Sequence, residues 1–264
     1  MERHCSYAGI WHNRKAGKIM LYVKDLYKSY QVGRVKYSVL KGVGFHVAQG
    51  EFVAVMGPSG SGKTTLLNCI SCYIPFDDGS IMVGGVKLAG QDEDALAKIR
   101  NTKLGFVFQD FMLLDGLTIR ENILVPRIVQ GKVEKGAEQL AAGLADMFGI
   151  GHILDKYPAE ISGGEKQRAA VARSLINRPM VILADEPTGN LDSKSSRIVI
   201  ETFIEAKQKM EATIFMVTHD SFAASFCDRV ILLKDGTIYR QVEKEGSQRE
   251  FQDKLLDAIR EMSA

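Results

Sequence analysis

A glycine-rich stretch that ends in lysine and threonine is the strongest chemical signal in the sequence. It consists of Gly57, Pro58, Ser59, Gly60, Ser61, Gly62, Lys63, Thr64 and Thr65. This stretch follows an apolar run, residues 51–56, and opens a helical pattern, which is the context that a phosphate-binding loop requires. Backbone N–H groups and the helix N-terminus would hold phosphates, Lys63 would reach the β- and γ-phosphates, and the Thr64 hydroxyl would ligate Mg²⁺. The pattern predicts a nucleoside triphosphate site, and a chance glycine-rich turn is the alternative.

Two adjacent carboxylates, Asp185 and Glu186, follow a second apolar run, residues 181–184. Ligands of open α/β sheets collect at the carboxyl ends of the strands, where this pair would lie. Asp185 would hold Mg²⁺, and Glu186 would orient or deprotonate the water that attacks the γ-phosphate. An Asp-Glu pair after a strand is more often a solvated turn, but the phosphate-binding loop in the same chain favours the catalytic role.

The segment 161–168, with the sequence ISGGEKQR, has two interpretations. Ser162 and Glu165 have the spacing of a helix capping box. The segment also resembles the LSGGQ signature of ABC transporter ATP-binding subunits, with Ile161 and Glu165 in place of the common Leu and Gln. This resemblance extends from about residue 21 to residue 240. It implies that Ser162, Gly163, Gly164 and Glu165 bind the γ-phosphate of an ATP held by a second subunit, and hence a head-to-tail homodimer.

Further residues take their roles from the same resemblance. Tyr30 resembles the aromatic residue that stacks on adenine, and Asp192 the residue that contacts the opposite subunit. Gln109 resembles the residue that senses Mg²⁺ and the attacking water, and His219 the switch histidine at the γ-phosphate. The resemblance thus implies ATP and Mg²⁺ as cofactors. The implied catalytic residues are Lys63, Gln109, Glu186 and His219, and the implied metal ligands are Thr64, Gln109 and Asp185.

Other segments, which are less specific than the phosphate-binding motifs, indicate a branch of the family. Residues 104–118, 155–158 and 184–195 look like the MacB/LolD/FtsE-like branch. Residues 155–162 and 216–220, with a tail helix containing Phe251, Leu255 and Ile259, resemble the BceA-like bacitracin-resistance type. That type implies an FtsX-like permease partner, possibly of ten spans with a large extracellular domain. Lipoprotein release, efflux or cell division is the alternative, and a soluble ABC-type ATPase is a further one, although a single nucleotide-binding unit favours transport.

The elements that would position these residues follow the order of an α/β protein. Continuous apolar runs indicate strands buried on both faces, and helical patterns lie between them. We expect an ABC-type P-loop fold, with a mixed sheet, an antiparallel β edge and an inserted helical subdomain at about 91–176. Residues 91–161 contain no confident strand pattern. We expect three parts along the chain. Residues 1–19 form a tail that is either disordered or not translated, with Met20 as a possible start, and residues 20–240 form the nucleotide-binding domain. Residues 241–264 form a helical extension that either caps the body or lies on a membrane surface.

Composition and charge exclude several classes of protein. Lys and Arg number 34 against 32 Asp and Glu, which does not favour nucleic-acid binding. The apolar runs are far shorter than the ~18 residues of a membrane-spanning helix, so we do not expect the chain itself to span a membrane. The resemblance implies that a permease holds it at the cytoplasmic face of the membrane. The four cysteines fit a reducing compartment. Cys69 and Cys72 have CxxC spacing, but burial as small apolar residues is favoured over a metal or redox site.

Overall fold

The computed structural model describes residues 12–13, 17–131 and 136–263, and builds them from two β-sheets and a set of helices. The strands are β1 (His12–Asn13), β2 (Gly17–Val32), β3 (Val35–Ala48), β4 (Phe52–Met56), β5 (Asp78–Val83), β6 (Val86–Lys87), β7 (Leu104–Val107), β8 (Val181–Asp185), β9 (Ile214–Val217), β10 (Arg229–Lys234) and β11 (Thr237–Glu243). The helices are α1 (Lys63–Ile70), α2 (Glu93–Lys103), α3 (Ile119–Val129), α4 (Ala137–Met147), α5 (Gly163–Leu175), α6 (Ser193–Met210), α7 (Ser221–Ala224) and α8 (Gln248–Ser263).

The larger sheet has the strand order β11-β10-β4-β9-β8-β7. Five neighbouring strands of this sheet are parallel, namely β10, β4, β9, β8 and β7. The remaining edge strand, β11, pairs antiparallel with β10. The parallel strands β4 and β9 are buried along their whole length, which explains why they are continuous apolar runs in the sequence. All five parallel strands end at the same edge of the sheet. That edge is where the chemistry predicted from the sequence must lie.

The smaller sheet is antiparallel and contains β1, β2, β3, β5 and β6. The long strands β2 and β3 form a hairpin that turns at Gly33 and Arg34. The mixed and antiparallel sheets together confirm the predicted α/β class. Among the described residues, no helix is long and apolar enough to cross a membrane.

The segment 91–176 is not purely helical, which corrects the expectation from its sequence. β7 is a buried strand at the edge of the larger sheet and pairs with β8, from Leu104 opposite Val181 to Val107 opposite Ala184. Four residues are too few to show a strand period, and only the pairing with β8 fixes them as a strand. A side chain at Gly105 would clash with the backbone of α5, so the glycine allows this helix to pack against the strand.

Both ends of the predicted nucleotide-binding domain also need correction. β11 continues to Glu243, past the boundary set at residue 240, because it pairs with β10 over its full length. Most of the predicted tail, 1–19, lies outside the described residues, but β2 begins at Gly17 and Ile19 is buried. α8 packs on the body through buried side chains, which are Phe251, Leu255, Ala258 and Met262. The packed-cap interpretation of the tail helix therefore describes this structure better than a membrane-surface helix.

Candidate functional site

The predicted site residues follow four parallel strands at one edge of the larger sheet. The glycine-rich loop follows β4, Gln109 follows β7, Asp185 and Glu186 end β8, and His219 follows β9. Because β9 lies between β4 and β8 in the sheet, His219 is placed between the loop and the carboxylates. The topology thus brings together residues that lie far apart in the sequence.

The loop between β4 and α1 forms a cradle that fits phosphate groups. Gly60 and Gly62 have φ values of 79° and 101°, which residues with a side chain rarely adopt. α1 begins directly after Gly62 with no side-chain cap and no acidic residue in its first turn, so its N-terminal N–H groups are available to an anion. The hydroxyl of Ser61 is buried and has no hydrogen-bond partner among the residues that the structure describes. These features match the loop's predicted role.

Lys63 lies at the centre of the charged groups. Its ammonium donates hydrogen bonds to the carbonyls of Gly57 and Pro58, at 2.8 and 3.0 Å. Burial lowers the pKa of Lys63, while the charges of Glu186 and Asp185 oppose this shift. Burial also raises the pKa of Asp185, with a further contribution from Glu186, and Lys63 acts in the opposite direction. One lysine and two carboxylates therefore share a partly desolvated site.

Glu186 and His219 are in direct contact. Glu186 Oε2 accepts hydrogen bonds from the backbone N–H of His219 at 3.2 Å and pairs with His219 Nδ1 at 2.9 Å. The backbone of Glu186 has φ 45°, and its N–H donates to the carbonyl of Val217 at 2.9 Å. The Glu186 side chain is only 18% exposed, whereas that of His219 is 72% exposed. A partly buried carboxylate held in this way can accept a proton from a water molecule at the cradle.

The residues present also fit Mg²⁺. No group of three or more His, Cys, Asp or Glu in the described ranges could hold a metal ion by itself. Mg²⁺ is commonly bound through one or two carboxylates together with substrate phosphates, and the remaining predicted ligands, Thr64 and Gln109, also offer oxygen atoms. Asp185 is the predicted carboxylate ligand.

The signature segment forms the capping box that was one of its two interpretations. The N–H and hydroxyl of Ser162 donate to Glu165 Oε2 at 2.9 and 2.6 Å, and the Glu165 N–H donates to the Ser162 hydroxyl at 3.4 Å. These bonds lower the pKa of Glu165, and His152 Nε2 lies 3.3 Å from its Oε1. Within the described ranges, no hydrogen bond or ion pair joins Ser162, Gly163, Gly164 or Glu165 to the glycine-rich loop. The signature segment thus makes no polar contact with the glycine-rich loop among the described residues of the single chain.

Asp192 and Tyr30 also lie apart from the cradle contacts. Asp192 caps α6 by accepting from the N–H groups of Lys194 and Ser195, at 2.9 and 3.0 Å, and from the Ser195 hydroxyl at 2.6 Å. Tyr30 is 41% exposed on β2, and the ammonium of Lys28 lies 5.4 Å from its ring centroid. An exposed aromatic face can stack on a planar base.

Sequence reasoning missed Asn190, which contacts Gln109. The side-chain amide of Gln109 donates to Asn190 Oδ1 at 3.0 Å. The only signal in the sequence is that Asn190 lies between Glu186 and Asp192, two residues that were singled out.

A family profile described as ABC transporter matches residues 40–189, more than half of the chain. The bacitracin export ATP-binding protein BceA of Halalkalibacterium halodurans is 48% identical over 231 residues, which are 88% of this chain and 91% of BceA. The chain belongs to the ABC transporter family. This ABC transporter subunit is also similar to the lipoprotein-releasing system ATP-binding protein LolD of Legionella pneumophila, with 40% identity over 84% of this chain and 97% of LolD. The family and branch predicted from the sequence are confirmed.

Solved structures of the same family share the fold. The dimeric structure of the ABC transporter cassette MJ0796 of Methanocaldococcus jannaschii has a TM-score of 0.77 and 38% identity, over 86% of this chain and all of that one. MJ0796 has also been solved in a post-hydrolysis state with ADP and Pi. As an ABC ATP-binding subunit, this chain uses ATP and Mg²⁺ and hydrolyses ATP, as predicted.

Proposed function

We propose that this chain drives a membrane permease that gives resistance to antimicrobial peptides of the bacitracin type. The observation that carries the proposal is the 48% identity to BceA, which covers most of both chains. The resemblance of the segment 155–162 and of the tail helix to the same type also supports it. In this role the chain is a peripheral protein at the cytoplasmic face of the cell membrane, held there by the permease.

Each residue of the predicted site has its own role in ATP binding or hydrolysis. Glycine N–H groups and Lys63 bind the phosphates, and Tyr30 stacks on adenine. Glu186 takes the proton of the attacking water, and His219 holds Glu186 through the 2.9 Å contact while it contacts the γ-phosphate. Thr64, Asp185 and Gln109 would hold Mg²⁺, which would supply positive charge to the phosphate oxygens.

The active form is a head-to-tail homodimer. Among the described residues of one chain, no hydrogen bond or ion pair joins the signature segment to the glycine-rich loop, and in the dimer a second copy would supply Ser162, Gly163 and Gly164 to the γ-phosphate. Asp192, at the start of α6, lies on the loop that contacts the opposite copy. The dimeric state of MJ0796, which has the same fold, supports this arrangement.

The permease contacts the loop after Gln109. A groove of about 770 Å³ opens beside this loop, and most of its lining surface is apolar although charged side chains also line it. Among the lining residues are Tyr73, Phe106, Phe108, Met112, Val125 and Val129. Met112 and Leu114 are 56% and 50% exposed, so the loop offers apolar area to a partner.

The test is to purify the tagged protein from detergent-solubilised native membranes and to identify the integral membrane protein that accompanies it. We expect one FtsX-like permease of about ten spans with a large extracellular domain. Leu114→Asp should abolish the co-purification, because it puts a charge into the apolar contact. Val32→Asp is the matched control, since Val32 is also exposed but lies at the tip of the β2–β3 hairpin.

The second candidate function is that of the wider branch, and the 40% identity to LolD favours it. A four-span permease or two different permeases in the purified sample would support lipoprotein release, efflux or cell division instead. Recovery of no membrane protein would overturn the transport role and support a soluble ABC-type ATPase.

A further inference from the structure

A pair of side-chain amides joins the loop after β7 to the loop before α6. Gln109 Nε2 donates to Asn190 Oδ1 at 3.0 Å, across 81 positions of sequence. Asn190 Nδ2 donates in return to Asp110 Oδ1 at 2.7 Å and, more weakly, to the backbone carbonyl of Gln109 at 3.4 Å. Asn190 therefore makes three contacts with two consecutive residues, and all of them depend on which way its amide points.

Donor and acceptor chemistry fixes the orientation of both amides. A carboxylate and a carbonyl can only accept hydrogen bonds, so the Asn190 amide must turn its NH₂ group toward Asp110 and its oxygen toward Gln109. The only end of the Gln109 amide that can bond to that oxygen is its own NH₂ group. The carbonyl oxygen of Gln109, Oε1, is therefore the end that is not used by Asn190.

Gly189, the residue before Asn190, leaves room for the Gln109 amide beside the loop. A side-chain carbon at Gly189 would lie 3.0 Å from Gln109 Nε2 and 3.1 Å from its Cδ. The glycine thus leaves just enough space for the Gln109 amide to lie against the loop. A methyl group here would push the flexible end of Gln109 away from Asn190 without removing either amide.

We propose that Asn190 is a positioning residue that keeps the Gln109 amide oriented with Oε1 free to act as an oxygen ligand. A flipped amide would present an NH₂ group, which is a poor ligand for Mg²⁺ because that ion takes hard oxygen donors. The inference rests on the metal-ligand role of Gln109 in the proposed function. It adds that the loop between Glu186 and Asp192 determines which end of the Gln109 amide, Oε1 or the NH₂ group, faces the metal site.

The first test measures the amide pair without nucleotide or metal. In ¹⁵N-labelled full-length protein, the Gln109 side-chain NH₂ resonance is assigned by its loss in Gln109→Ala, and its hydrogen exchange is followed. We expect exchange to be about three- to tenfold faster in both Asn190→Ala and Gly189→Ala, because each breaks the hydrogen bond. Asn177→Ala is the matched control, since its amide joins two other backbone segments by bonds of 3.1 and 3.2 Å. Unchanged exchange in Asn190→Ala would overturn the proposal.

The second test measures the concentration of Mg²⁺ that gives half-maximal ATPase activity. Asn190→Ala and Gly189→Ala should each raise it about three- to tenfold, and neither should add to the effect of Gln109→Ala in a double variant. If Gln109→Ala raises this concentration and Asn190→Ala does not, the positioning role is wrong while the proposed role of Gln109 stands. If Gln109→Ala itself leaves the concentration unchanged, the ligand role of Gln109 is wrong and this inference fails with it.

Discussion

Glu186 combines a left-handed backbone with a side chain that is held at one oxygen by two donors. A φ of 45° is uncommon for a residue other than glycine, and such strain collects at functional sites. The backbone N–H of His219 and its Nδ1 both contact Glu186 Oε2. At the scale of a residue, the structure thus holds the Glu186 carboxylate in one position, as its proposed role of proton acceptor requires.

Replacing Glu186 with Gln tests that role. An amide keeps the size of the side chain but cannot take a proton from water, so we expect the ATPase turnover number to fall by about 10²- to 10⁴-fold. ATP binding, measured by equilibrium titration, should be unchanged. Glu250→Gln is the matched control, because that carboxylate belongs to a capping box with Ser247 at the start of α8, outside the predicted site. Full turnover in Glu186→Gln would remove Glu186 from the catalytic role.

The CxxC pair allows a second prediction at this scale. Burial raises the pKa of Cys69 to about 12 and that of Cys72 to about 11, so both thiols stay protonated at neutral and mildly alkaline pH. Since only the thiolate is reactive, iodoacetamide at pH 8 should leave both unmodified in the folded protein and modify both in urea. Peptide mass spectrometry measures the labelled fraction. Rapid labelling of the folded protein would revive a redox or metal role.

At the scale of elements, α5 holds the loop that follows β7. The guanidinium of Arg173, on α5, donates to the carbonyls of Phe111 and Met112, the first at 2.7 Å. These two residues have φ values of 61° and 49°, so the turn that they form is strained. One helix thus carries the signature segment at its start and stabilises the candidate permease-binding loop near its end.

Arg173→Met tests this stabilisation. The substitution keeps an apolar chain but leaves two carbonyls without their donor, and we expect the free energy of unfolding to fall by about 1–3 kcal/mol. Urea denaturation followed by circular dichroism gives the value. Arg197→Met is the control, because Arg197 forms an exposed pair with Glu201 on α6 that should contribute less than about 1 kcal/mol. Equal decreases in the free energy of unfolding of the two variants would contradict the stabilising role of Arg173.

At the scale of the whole molecule, one chain contains both the glycine-rich loop and the signature segment, and no hydrogen bond or ion pair joins them among the described residues. The cradle, Glu186 and His219 meet at one edge of the larger sheet, while Ser162 lies at the start of α5 without a bond to them. A head-to-tail dimer would bring the two parts together and would give both copies the same contact.

Ser162→Arg tests the shared site. In the Glu186→Gln background, where ATP is not consumed, the arginine should block ATP-dependent dimerisation because it occupies the position of the partner's phosphate. Gel filtration with and without ATP measures the dimer, and nucleotide titration should show normal binding to the monomer. Ser247→Arg is the matched control, since Ser247 forms a similar capping box with Glu250 at the start of α8. A dimer that survives Ser162→Arg would exclude the shared site.

The glycine-rich loop, the Asp185-Glu186 pair and the buried strands each consist of neighbouring residues, so the sequence alone predicted an α/β fold with a nucleoside triphosphate site and Mg²⁺. The family and ATP followed from the resemblance of residues 161–168 to the signature, which is also a local motif. The same reasoning failed for β7, since four residues carry no period and a strand is defined by its neighbour in the sheet.

The tertiary structure decided which distant residues meet. Asn190 contacts Gln109 across 81 positions, and Arg173 reaches Phe111 across 62. Neither pair leaves a periodic or compositional trace, because a hydrogen bond between loops depends on where the sheet and helices place them. Local motifs therefore predict the chemistry of the site, whereas only packing between elements sets the orientation of its side chains.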